Sequence, residues 1–83
     1  MTLDLVYFAW VRERIGVAGE RVDTGAQTVA ELVAELSARE ARYAAAFADL
    51  SALRCAVDQE LADFDAPLAG AREVAFFPPM TGG

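Results

Sequence analysis

The chain opens on a dense apolar and aromatic run, Leu3 to Trp10 (LDLVYFAW), which predicts a strand in the middle of a sheet. Val11–Ile15 is long enough for a turn or two of helix, and Gly16 is a natural stop. Glu20–Thr24 alternates weakly and predicts a second strand, ended by Gly25. Thr28 and Glu31 have the spacing of a capping box, with a hydroxyl over the first turn and a carboxylate reaching back. Val29, Leu32, Val33 and Leu36 then fall on one helical stripe. Ser37–Glu40 repeats the capping pattern, so helix is expected at about 28–38 and again near 40–48, with Tyr43, Ala44 and Phe47 on the buried side.

In Leu53–Asp58, Leu53, Cys55 and Val57 share one face of a short strand. Glu60–Phe64 is a further strand candidate, Asp65–Leu68 a turn and edge, and Gly70 lies in the next turn. Glu73–Phe77 is the last strand, and Pro78 ends its ladder because proline has no N–H to give. The first and last strands are the most apolar, as expected of a parallel central pair covered on both sides. The order of elements predicts an α+β domain, a mixed sheet with helices on one face, over residues 1–77, followed by an extended tail at 78–83.

Composition narrows the chemistry. Every one of the seven basic residues is an arginine, and there is no histidine. Imidazole acid–base work, His-ligated zinc, lysine Schiff bases and the phosphate-loop lysine are therefore unavailable. A net charge of −6 disfavours nucleic acid and anionic membranes and suits a partner with a basic surface. A lone cysteine, Cys55, excludes an internal disulfide and fits the cytoplasm. Its apolar surroundings favour a core role. Asp58, Glu60, Asp63 and Asp65 cluster in sequence but lack the glycine and final glutamate of a calcium loop, which favours a solvated face. Arg12, Glu13 and Arg14 read as a surface set. The N-terminus shows no secretory signal, and no stretch reaches the ~18 apolar residues of a membrane span.

What remains is the ending, Phe76–Gly83 (FFPPMTGG). The aromatics anchor the last strand, and Pro78 and Pro79 force an extended stalk at low entropic cost. Two glycines without side chains can thread a channel too narrow for other residues and present a terminal carboxylate to an enzyme.

Three stretches carry a resemblance: Val6–Glu13 (VYFAWVRE), Ala56–Gln59 (AVDQ) and Glu73–Gly83 (EVAFFPPMTGG). The chain resembles the small, sulfur-carrier subunits of molybdopterin synthase, in the ubiquitin-like β-grasp superfamily. The resemblance implies that an E1-like enzyme adenylates the Gly83 carboxylate with ATP and that a sulfur donor system converts it to a thiocarboxylate. The sulfur then passes to cyclic pyranopterin monophosphate in the active site of the synthase large subunit, within a heterotetramer. It implies no permanently bound cofactor and no metal, and a chain that is not catalytic alone. Pro78, Pro79, Met80, Thr81 and Gly82 would occupy the tail channel. Phe8, Leu61 and Phe77 match the positions through which the family docks; core roles are the plainer reading of all three, but Leu61, lone among polar neighbours, favours the interface. Two departures stand out: Asp58 where the family often has Asn, and Gly70–Glu73 (GARE) where it commonly has Asp-Gly-Asp-Glu. The alternatives are a sulfur carrier for thiazole, thiolated tRNA or cysteine synthesis, and a ubiquitin-like modifier or binding module.

Overall fold

A computed structural model describes residues 1–79. Five strands form one mixed sheet: β1 (Thr2–Tyr7), β2 (Gly19–Asp23), β3 (Arg54–Val57), β4 (Glu60–Ala62) and β5 (Glu73–Phe77), in the order β2-β1-β5-β3-β4. The two most apolar strands, β1 and β5, do run parallel at the centre, and every other pairing is antiparallel. Three α-helices, α1 (Ala9–Ile15), α2 (Val29–Arg39) and α3 (Ala41–Ala46), supply most of the rest of the core, and Ala26, Phe47, Leu53 and Leu68 from the connecting segments complete it.

Alternation along the strands sorts the two faces of the sheet. Leu3, Leu5 and Tyr7 of β1, Val74 and Phe76 of β5, and Cys55 of β3 are almost fully buried. They form one core with Val11 and Ile15 of α1, Leu32 and Leu36 of α2, and Tyr43 and Ala46 of α3. Phe76 lies at its centre, stacked on Tyr7 at 6.2 Å and tilted against Phe47 at 5.0 Å. A polar clasp closes one side. Glu20 Oε2 accepts hydrogen bonds from the hydroxyls of Tyr7 (2.8 Å) and Tyr43 (2.5 Å), while Arg42 donates to the Ile15 carbonyl at 2.9 Å. One carboxylate oxygen thus ties β1, β2 and α3 together, and Arg42 adds the end of α1.

The start of α2 follows the expected cap. Thr28 Oγ1 accepts from the Glu31 N–H at 3.2 Å, but Glu31 reaches back to the Thr28 hydroxyl and not to its N–H. The free donors Val29 N–H and Ala30 N–H go to the carbonyls of Ala66 and Phe64, so the irregular segment after β4 closes the first turn.

Several boundaries differ from expectation. β1 stops at Tyr7, and Ala9 and Trp10 belong to α1. The reversal is made by Ala9 at φ 52, a left-handed conformation that costs an L-residue about 1 kcal/mol. Ser37 does not cap a second helix: α2 runs through it to Arg39, and Glu40, in extended backbone, starts α3 without a side-chain cap. On α3 it is Ala46, not Ala44, that is buried beside Tyr43. β4 ends at Ala62, so Asp63 and Phe64 leave the sheet.

Candidate functional site: the open face and the root of the tail

The helices cover one face of the sheet, and the other carries the complementary set of residues. Register places Val6 beside Ala75, Ala75 opposite Ala56, and Ala56 opposite Leu61. Side chains paired in this way project to the same side. An apolar row therefore crosses four strands, from β1 to β4, with Gly19 of β2 opposite Val6 at its far end. A side chain at Gly19 would meet the Leu5 carbonyl oxygen at 2.8 Å, so glycine is required by the close backbone approach there.

Two residues further along, and so on the same face, Phe8 and Phe77 form an edge-to-face pair at 6.5 Å. Phe8 is held there by its N–H donating to the Phe76 carbonyl at 3.1 Å, just before the Ala9 reversal. None of the three predicted docking residues belongs to the buried core. Leu61 is 74% exposed, Phe8 is 50% exposed, and Phe77 is half-buried. An exposed Leu and Phe on the same face as Phe77, all bordering one apolar row, make a patch and not a scatter. Pro78 and Pro79 follow directly from Phe77, outside the ladder and half-buried. Met80, Thr81, Gly82 and Gly83, expected to line the channel and carry the acyl group, lie outside the described residues.

The opposite end of this face is polar. Asp4 stands beside Glu73 and pairs with Arg21 at 2.9 Å. The hairpin joining β3 to β4 turns on Asp58 and Gln59, both at positive φ. Asp58 Oδ1 accepts the N–H groups of Arg72 (2.9 Å) and Glu73 (3.0 Å). These two N–H groups, first Arg72 and then Glu73, hold the carboxyl below its usual range. The two departures noted in the sequence, Asp58 and the Gly70–Glu73 turn, are thus in direct contact. Gly70, at φ 78, supplies the left-handed step that leads into the turn.

Cys55 has the core position expected of it. It is fully buried and its thiol donates to the Ala62 carbonyl at 3.2 Å. Burial, with the Asp63 carboxylate adding to it, pushes the thiol up to about 11, so it is a poor nucleophile at neutral pH. Among the described residues no group of three or more His, Cys, Asp or Glu could hold a metal, and no helix is long and apolar enough to cross a membrane. Sequence reasoning missed Val6, Ala56 and Ala75 as members of the open face. Their signal was the period-two alternation of each strand, visible once strand boundaries and register are known.

The sequence profile of the ThiS family matches residues 5–83. A molybdopterin synthase sulfur carrier subunit from Escherichia coli is 42% identical over 98% of this chain and 99% of its own length. Its counterpart from Haemophilus influenzae is 35% identical over the same shares. Among solved structures, SAMP1 from Haloferax volcanii superposes with a TM-score of 0.78 at 24% identity, covering 100% of both chains. Matches that span the chain end to end show that it belongs to the ThiS family, with the molybdopterin synthase sulfur carrier subunits as its relatives and the ubiquitin-like β-grasp as its fold.

Proposed function

We propose that this chain is the sulfur-carrier subunit of a molybdopterin synthase, working in the cytoplasm, and that its reactive group is the acyl terminus at Gly83. The observation that carries this reading is the continuity of the open face's apolar row, which ends in the exposed Leu61, with Phe8, Phe77 and the proline stalk. The surface a partner would cover leads straight into the tail that it would have to swallow. The names of the two curated relatives support the same role.

The chemistry follows from what a carboxylate lacks. It is a poor electrophile until a good leaving group is attached. An E1-like enzyme lets the Gly83 carboxylate attack the α-phosphorus of ATP, and pyrophosphate leaves. The sulfur donor system then supplies sulfur at the sulfide level, which attacks the Gly83 acyl carbon; the C–S bond forms as the C–O bond to AMP breaks, AMP leaves with the electron pair, and a thiocarboxylate remains. The tail, with Pro78, Pro79, Met80, Thr81 and Gly82 in the channel, enters the large subunit of the synthase in a heterotetramer. There the sulfur passes to cyclic pyranopterin monophosphate, one atom per carrier. This chain supplies the docking face and the tip; with no histidine or lysine, it leaves proton transfer to the large subunit.

Docking rests on Phe8, Leu61 and Phe77. Burying one large apolar side chain gives roughly 1.5–3 kcal/mol, so a few such anchors suffice for a specific site. Reconstitution tests the reading. Carrier loaded with sulfur, the cognate large subunit and cyclic pyranopterin monophosphate should together yield molybdopterin. A thiocarboxylated carrier that delivers sulfur to a thiazole or tRNA system, and none to the pyranopterin, would assign it to another pathway.

A further inference from the structure

The open face carries one cation beside the root of the tail. Arg54 stands opposite Phe77 in the β3–β5 register, and its side chain therefore projects on the same side as Phe77, Ala56 and Leu61. It is exposed, whereas its neighbour Cys55, pointing the other way, is fully buried. Its guanidinium donates one hydrogen bond, from Nη1 to the Leu53 carbonyl at 2.8 Å. Among the described residues no carboxylate lies within ion-pairing distance of it; Arg12, Arg14 and Arg72 are likewise unpaired, whereas Arg21, Arg39 and Arg42 are each paired with an acid, and of the unpaired four it is Arg54 that the register sets opposite Phe77. Asp63, just past Ala62 on the neighbouring strand, makes no such pair.

A protein that covers Phe77 and Leu61 also covers or borders Arg54. Removing an unpaired guanidinium from water is costly unless the incoming surface gives it an anion. A planar fork with free N–H groups is suited to a carboxylate held by two parallel bonds. We infer that Arg54 is a specificity contact of the docking face, and that the large subunit presents an aspartate or glutamate to it beside the channel that takes the tail. The inference rests on the docking face described under the proposed function. It gives that face a polarity: acid from the partner at the tail end, and base from the partner at the far end, where Asp4, Asp58 and Glu73 lie.

The test is titration of the cognate large subunit with wild-type carrier, R54Q, R54E and L61D, at low and at high salt, each variant first checked for an unchanged thermal midpoint. R54Q should bind roughly tenfold more weakly at low salt and R54E more weakly still, with both deficits shrinking as salt rises. L61D should lose binding at both salts. Binding of R54Q and R54E equal to wild type, with L61D defective, overturns the role of Arg54 and leaves the docking face standing. Salt-independent deficits overturn it too, because they point to lost packing. Undiminished binding by L61D overturns the docking face itself and this inference with it.

Discussion

Leu61→Ala separates docking from folding. Leu61 is 74% exposed on a three-residue strand, and its side chain packs against little of its own domain. Full burial of a leucine stabilises by roughly 1.5–3 kcal/mol, so about three-quarters of that, ~1–2 kcal/mol, remains to be gained on docking. Truncation to alanine should therefore weaken association with the large subunit by roughly 5- to 30-fold. The free carrier should barely notice, because an exposed substitution of this kind changes stability by less than about 0.5 kcal/mol. Calorimetric titration against the cognate large subunit, beside thermal melts of the free proteins, reads both quantities. Affinity equal to wild type in a folded L61A carrier would refute the assignment of this face. A large drop in thermal midpoint would refute the claim that Leu61 stands clear of the core.

Two further outcomes follow from the same structure. Deleting Gly83 should abolish sulfur transfer and leave the thermal midpoint nearly unchanged, since the core is complete by Phe76; sulfur transfer by the truncated chain would contradict the mechanism. Stability should fall in alkali: burial first, then the bond to Glu20, pushes Tyr43 up from 10.0 to about 12, and burial pushes Cys55 up from 9.0 to about 11. Tyr7 is raised as well, by burial and by Glu20. The unfolded chain loses these protons first, so stability is intact below about pH 9 and is lost as pH rises through about 11–12. Equilibrium unfolding followed from about pH 8 upward checks this, with a shallower decline expected for Tyr43→Phe; a flat profile to about pH 12 would contradict it.

The broad architecture was legible because burial writes itself into the sequence. β1 and β5 are the most apolar strands, and they form the parallel centre. The stripe from Val29 to Leu36 is the buried side of α2. Boundaries failed where backbone geometry was carried by residues that do not advertise it. Ala9 turns the chain at positive φ, yet alanine is no turn signal, and the apolar run continues without a break into Trp10. The Asp58–Gln59 hairpin lacks the glycine that usually marks such a turn. Ser37 and Glu40 have capping spacing, but α2 simply continues past the serine.

The candidate site was legible in part for related reasons. The tail is a contiguous motif, and Phe8, Leu61 and Phe77 were found through resemblance to a family. Val6, Ala75 and Ala56 are ordinary residues whose role comes only from standing side by side in register. Arg54 likewise becomes informative only when it is seen opposite Phe77. Distance along the chain hides these relations, and strand pairing reveals them.

The most direct measurement is the intact mass of the carrier after incubation with its activating enzyme, ATP and a sulfur source. Replacement of one oxygen by one sulfur, located at Gly83 by fragmentation, is the predicted result. An unchanged mass, with an enzyme shown to be active on another carrier, would contradict the claim that this chain works through its acyl tip.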